Sequence, residues 1–427
     1  METMEPREET KLTDLDIDCL ERICRYLPLE DLLNVADSSK QLKKAADLAF
    51  LPEYSRKYTV RIGYFSCNMN KCEYGFKIDY SLLFNVGCEH FGEMGSGEYT
   101  IEATHLKRTY QTFRCFGHLI SKLEIGMKET SIHFDRLMFY IKEYCAESLT
   151  QLAFLIIPDG SMIRFVKPFP NIHTLYLTNV LNVSFGEIFP NLKHLKYIGT
   201  VTEFTSIESE IPNLEHLELY VGLDLENVLL RKIGSSPKIR TLIVPGDAIY
   251  QGINEILPNL KVLRLHGSCL GLKVSFGVEK FHFATVKRFE MCNYPSRFEG
   301  LPFSFDNLEE FIIEARALES RHEEELYDFI SEHPSIKKLG TWIFEVDLLR
   351  LMDMLPLLGE FDTRSDYSIH DVARFMNVKE SLKKMTFYLI DGCDIDIPDI
   401  QAHLNDKWHG IKLRDQYGPF EFTRILK

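Results

Sequence analysis

Apolar positions recur along the C-terminal seven-tenths of the chain in a single frame, a Pro-Asn turn followed by Leu-x-x-Leu-x-Leu. The frame is plainest in Ile211-Pro-Asn-Leu-Glu-His-Leu-Glu-Leu219 and returns from Pro170 to Leu177, Pro190 to Tyr197 and Pro258 to Leu265, with a more worn copy from Asp306 to Ile313. The first apolar position can be followed through Ile120, Leu149, Ile172, Leu192, Leu214, Ile239, Leu260, Val286, Leu308, Ile336, Leu358, Leu382 and Trp408, with a spacing of about 24 residues. Within a copy, Leu-x-Leu alternation puts neighbouring side chains on opposite faces, as a short strand does. Helical spacing follows in Leu137, Tyr140, Ile141 and Tyr144, in Leu225, Val228 and Leu229, in Leu326, Phe329 and Ile330, and in Leu348, Leu351 and Leu355.

A strand-plus-helix unit of this size cannot bury its own apolar face, so neighbours must stack around a shared core. Strands stack about 4.8 Å apart and helices about 10 Å apart, which predicts an α/β solenoid curved into a horseshoe with its strands on the concave face. This array is expected over residues 105–415. Ahead of it, residues 51–104 read as a linker and N-terminal cap, with strands near Tyr58 to Ile62 and Tyr99 to Ala103 and a loop from Gly92 to Gly97. Thr104 then caps a helix through Leu106, Tyr110 and Phe113. Ile411 and Leu413 suggest a last strand, leaving 416–427 as a C-terminal tail.

The first 11 residues are polar and acidic and are expected to be disordered. From Leu12 the apolar spacing changes to a compact helical one. Asp14 or Asp16 can cap a helix carrying Leu20, Ile23, Cys24 and Leu27, which Pro28 stops. A second helix holds Leu32, Leu33, Val35 and Ala36, and a third, entered at Ser38 or Ser39, holds Leu42, Ala45, Ala46 and Ala49. Three helices in about 40 residues make too small a core for this apolar set, so part of it should be covered by a partner.

Two resemblances follow from these residues. The recurring frame resembles leucine-rich repeats, although the Asn or Cys that this family places after its strand is filled irregularly, with Asn179 and Cys269 each one place off. Residues 12–50 resemble an F-box: Leu20, Ile23, Tyr26, Leu27, Asp31, Leu32 and Leu33 match, while Thr13, Cys24 and Leu42 depart from the usual Pro, Phe and aromatic residue. The order of the two looks like an insect-type F-box and leucine-rich-repeat protein. That likeness implies a non-catalytic substrate receptor of a cullin-type ubiquitin ligase, with the F-box on a Skp-type adaptor and the repeats on a target protein. The adaptor-binding residues it implies are Leu12, Leu15, Leu20, Ile23, Tyr26, Leu27, Leu32 and Leu33. A leucine-rich-repeat scaffold whose F-box no longer engages the ligase is the competing expectation.

Composition narrows the partners. Across 427 residues, 63 acidic side chains outnumber 49 basic ones, for a net charge of −14. Phosphate backbones need a basic surface, so nucleic acid is not an expected partner. No signal-peptide core and no long apolar run occurs, so neither membrane nor secretion is expected, and the 10 cysteines read as reduced thiols. The cytosol is favoured and the nucleus stays open. Cys67, Cys72, Cys88 and His90 have the residue types of a zinc site at a spacing no common finger uses, and Asp391 to Asp396 lacks the EF-hand order. No metal, cofactor or catalytic constellation is expected.

Counting on in steps of two from each first rung gives the positions that should face the hollow. Tyr, Trp and Arg dominate binding energy where they occur in interfaces, which nominates Tyr176, Tyr220, Arg264, Arg288 and Trp342 as target-binding side chains.

Overall fold

The computed structural model of the chain describes residues 12–51, 60–63, 103–126, 132–156, 167–178, 185–199, 211–221, 236–245, 253–266, 281–294, 303–315, 321–342, 347–366, 368–388, 400–412 and 420–424. The chain divides into two compact units, Met1–Leu214 and Glu215–Lys427.

The first unit begins with α1 (Ile17–Arg25), α2 (Leu29–Ser38) and α3 (Lys40–Phe50). The Asp16 carboxylate accepts from the Ile17 N–H, and the Ser39 hydroxyl accepts from the Leu42 N–H at 3.2 Å, so one expected cap is taken at each helix start. Pro28 opens α2, where its missing N–H costs nothing. Next come β1 (Val60–Gly63), α4 (Ala103–Phe116), β2 (Lys122–Gly126), α5 (Ile132–Tyr144), β3 (Gln151–Ile156), β4 (Thr174–Thr178), α6 (Phe185–Ile188) and β5 (His194–Gly199). Strands β1 to β5 lie side by side in sequence order, and all their pairings are parallel. The expected strand near Tyr58 to Ile62 is therefore part of the sheet. Ala103 starts a helix instead of ending a strand, and the rest of the second expected strand and the Gly92 to Gly97 loop lie outside the described residues.

The second unit contains β6 (His216–Val221), β7 (Thr241–Pro245), α7 (Ile253–Ile256), β8 (Val262–His266), β9 (Phe281–Phe283), β10 (Arg288–Tyr294), β11 (Phe303–Phe305) and β12 (Glu310–Ala315). It continues with α8 (Arg321–Ser331), β13 (Lys338–Trp342), α9 (Leu348–Met354), β14 (Glu360–Asp366), α10 (Ile369–Val378), β15 (Lys384–Tyr388), β16 (Trp408–Lys412) and β17 (Phe420–Arg424). The parallel order is β6-β7-β8-β10-β12-β13-β14-β15, after which β17 and then β16 add antiparallel. This is a leucine-rich-repeat-like ladder in a mixed α/β chain. All the first-rung residues from Ile120 to Trp408 are buried, as are Leu217 and Leu263, while Glu218 between the rungs is half-exposed.

Two expectations change. The segment taken as a C-terminal tail carries β17, which lies between β15 and β16 and whose Phe420 and Phe422 stack on Phe387 of β15. Arg424 secures it by donating through Nη1 to the carbonyls of Lys379, Glu380 and Leu382. The repeats also carry strand that the periodicity did not separate from the ladder: Phe281-His-Phe283 and Phe303-Ser-Phe305 alternate with period 2 and form a separate parallel pair, β9 with β11, ahead of β10 and β12.

The Pro-Asn frame has its own physical cause. In both units the Asn donates to a carbonyl one repeat earlier: Asn171 to Glu147 at 2.7 Å, Asn191 to Pro170 at 2.8 Å, Asn213 to Pro190 at 3.0 Å, Asn259 to Pro237 at 2.8 Å and Asn307 to Ala284 at 2.9 Å. Where a hydroxyl holds this position it reaches the carbonyl of the preceding first rung instead, as Thr285, Ser335 and Ser381 do at Leu260, Leu308 and Leu358, each at 2.8 Å. The repeats are stapled by the turn ahead of the strand, while Asn179 and Cys269 after it lie outside the described residues. Asn259→Ala should cost about 1 kcal/mol in a melting experiment, the usual worth of one such hydrogen bond, whereas Lys261→Ala in the same turn should leave the melting point unchanged.

Candidate functional site

The first candidate surface belongs to the three N-terminal helices. Helix α1 has an inner stripe, Leu20 and Cys24, and an outer one that includes Ile23. Leu20, Leu32 and Leu33, expected as contact residues, are 1%, 1% and 2% exposed and lie instead in the core that α1 and α2 each make against α3. Leu12, Ile23 and Tyr26 are 48%, 41% and 89% exposed, with Leu15 and Leu27 partly covered beside them in sequence. A Tyr at a helix C-cap with almost its whole ring in water is an uncommon use of an aromatic residue.

These helices are mounted firmly on α4. Asp37 accepts from Gln111 Nε2 at 2.8 Å and Arg114 Nη2 at 2.7 Å, and Cys115 Sγ donates to its other oxygen at 3.4 Å. Burial opposes ionisation of Asp37, yet those hydrogen bonds and the Arg114 charge outweigh it and hold the carboxyl below its ordinary range. Lys43 Nζ donates to the Cys115 carbonyl at 3.2 Å, and the Phe50 and Phe116 rings stack at 4.2 Å. Burial pushes the thiol of Cys115 up to about 11 and raises those of Cys24 and Cys145 as well, which leaves all three inert near neutral pH.

The second candidate surface is the open face of the sheet in the second unit, where three nominated residues meet. Glu290 is only 7% exposed although it stands on the solvent side of β10. Arg288 Nε donates to it at 2.5 Å, and Arg264 Nε, in register on β8, lies 3.4 Å away. Arg288 also reaches Glu310 on β12 at 3.3 Å. Two guanidinium groups around one carboxylate account for its burial, since an unpaired buried charge would be prohibitive. Tyr220 extends across β7 to His266, with ring centroids 4.7 Å apart. Burial first, then the hydrogen bond and charge of Glu218, push its phenol well above the ordinary range.

Tyr176 lies in the other unit, where Lys196 Nζ sits 5.2 Å above its ring. Trp342 ends β13, and its side chain is outside the described residues. Sequence reasoning did not single out Glu290 as the keystone. The signal was present, because aligning the repeats on their first rungs sets Glu290 beside Arg264 and two places from Arg288, on one face.

Other chemistry is sparse. His282 Nδ1 is 3.1 Å from Ser304 Oγ and its Nε2 is 3.4 Å from Asp306, but His282 and Asp306 are both more than half exposed, and water competes with the shielded pairing that an acyl-transfer triad needs. Among the described residues no group of three or more His, Cys, Asp or Glu could hold a metal ion, and no helix is long and apolar enough to cross a membrane. The cysteines and His90 considered for zinc, and Asp391 to Asp396, lie outside the described residues.

Residues 12–50 match the F-box domain family. No curated protein matches the chain. Among solved structures, the chain is similar to a chain of the Toll–Spatzle complex of Drosophila, with 10% identity and a TM-score of 0.31 over 69% of this chain and 42% of that one. It is also similar to an internalin of Listeria monocytogenes, with 10% identity and a TM-score of 0.27 over 64% of this chain and 74% of that one. The chain thus spans less than half the length of the first of these.

Proposed function

We propose that the chain is a substrate-recognition subunit of a cullin-type ubiquitin ligase, acting in the cytosol. The F-box domain docks on a Skp-type adaptor through Leu12, Leu15, Ile23, Tyr26 and Leu27, and the repeats bind the target protein. The observation that carries this reading is the outward apolar set on a domain whose inward set is already sealed. Tyr26 contributes almost nothing to the chain's own core and Ile23 leaves 41% of its surface open, and such exposed large side chains are the kind a partner covers. Tyr220, Arg264 and Arg288 support the second half, because Glu290 and Glu310 hold the two guanidinium groups in place before any target arrives. The chain contributes proximity, and other subunits supply the ubiquitin chemistry.

Affinity purification of the tagged chain tests the reading. Recovery of a Skp-type adaptor with cullin supports it, and a soluble chain that recovers neither removes it. The mount on α4 gives a further expectation. Asp37→Ala should speed hydrogen exchange in residues 29–38 by about fivefold, the worth of one partly exposed charged network, without changing adaptor capture. Ubiquitin transfer to a bound target should slow, because a loosened mount spends less time in the productive geometry.

A further inference from the structure

Backbone stacking in the second unit lines up another row of side chains, one residue ahead of each strand. The N–H of each member donates to the carbonyl of its counterpart one repeat earlier: Lys261 to Arg240, Lys287 to Lys261 and Glu309 to Lys287 at 2.8 Å, then Lys337 to Glu309, Gly359 to Lys337 and Lys383 to Gly359 at 2.7 Å. These seven positions hold five exposed cations and a single carboxylate, and Glu215, whose carbonyl accepts from the Arg240 N–H at 2.8 Å, ends the row with a second carboxylate at its N-terminal side. Six steps of about 4.8 Å make the row about 29 Å long.

The row does not follow from composition, since acidic residues outnumber basic ones across the chain by 63 to 49. Nor does the first unit repeat it: the corresponding positions there, linked by the same hydrogen bonds, are Ser121, Thr150, His173 and Lys193. Glu309 bridges Lys287 at 2.7 Å and Lys337 at 3.0 Å, and their hydrogen bonds hold its carboxyl below the ordinary range. Arg240, Lys261 and Lys383 make no ion pair among the described residues. On the neighbouring open face the balance differs, because Arg288, Lys338 and Lys384 are matched by Glu310 at 3.3 Å, Glu360 at 3.3 Å and Glu421 at 2.8 Å.

We infer that this row binds an acidic, extended polypeptide segment of the target. The inference deepens the target-binding role proposed for the repeats and does not depend on the adaptor. A nucleic-acid strand needs a broader basic surface than one row, and the carboxylates of the open face together with the chain's net charge of −14 oppose it. An acidic peptide is narrow enough to lie on the row alone, and about nine extended residues cover its length.

The probe is a fluorescein-labelled peptide of ten glutamates, titrated with the purified full chain and followed by anisotropy at low and at physiological salt. Binding should weaken as salt rises. Arg240→Glu, Lys261→Glu and Lys383→Glu together should lower affinity at least about tenfold, the effect of three exposed contacts of ordinary strength. A control with the same charge change, Lys44→Glu, Arg374→Glu and Lys407→Glu, should lose far less. The triple Gln variant at Arg240, Lys261 and Lys383 keeps the test valid if charge reversal harms folding. No binding by the unaltered chain, an equal loss in the control, or tighter binding of a ten-nucleotide single strand than of the peptide would each overturn the inference. Adaptor recovery is measured separately, so loss of the ligase reading and loss of the acidic-segment reading give different results.

Discussion

Ile23→Asp combined with Tyr26→Asp is expected to abolish adaptor capture, lowering affinity by at least about a hundredfold, while the three N-terminal helices stay folded. Tyr26 is 89% exposed and Ile23 41% exposed, so neither charge would enter the sealed interior of the helices and the cost to the fold is far smaller than at a buried position. In an interface the same carboxylates would be stripped of water beside apolar groups, which costs several kcal/mol, and every 1.4 kcal/mol is tenfold in affinity. Leu32→Asp should lose capture by another route. Its side chain is 1% exposed, so the charge would enter the bundle itself and unfold it. Hydrogen exchange over residues 17–50 separates the two, with protection kept in the double variant and lost in Leu32→Asp. Adaptor capture retained by a folded Ile23→Asp, Tyr26→Asp chain would show that this face is not the docking surface.

The largest stability effect is expected at Phe289, where truncation to Ala should cost about 3 to 5 kcal/mol. Its fully buried ring lies 5.2 Å from Phe303, 4.9 Å from Phe305, 5.8 Å from Phe311 and 6.2 Å from Phe329. These rings come from two strands of the ladder, from β11 and from α8, so a cavity there loosens every layer of that repeat. The surroundings cannot collapse into it easily. His333 ties Phe305 to the end of α8 by accepting from the Phe305 N–H at 3.1 Å and donating to the Phe329 carbonyl at 2.7 Å. The space left would be apolar, which water does not stabilise. Thermal or denaturant melting measures the effect, and a loss below about 1.5 kcal/mol would mean that the aromatic cluster repacks.

Much of the fold was legible because the repeat leaves few alternatives. Side chains such as Leu217 and Leu263, two apart from another Leu in a short strand, can only share one face, and a recurrence of about 24 residues tells the strands to stack. Asp16 and Ser39 could be read as caps for the same reason, since a cap depends on residues within one turn. The Pro-Asn turn was visible but its purpose was not. The bond that Asn259 makes joins it to Pro237, and nothing local distinguishes a staple between repeats from a simple turn.

By itself, then, the sequence determined the succession of ladder strands, the buried first rungs from Ile120 to Leu382 and the solvent side on which Arg264 and Arg288 stand. These depend on periodicity along one element, and periodicity is a local property of the chain. Only the tertiary structure decided that Leu20, Leu32 and Leu33 are sealed while Ile23 and Tyr26 remain open, that Glu290 sinks between two arginines, and that Phe420 to Arg424 become a strand. The physical reason is the same in each case: a pattern fixes which face of an element is apolar or charged, but burial and pairing belong to whatever is packed against that face, and the neighbour comes from a distant part of the chain.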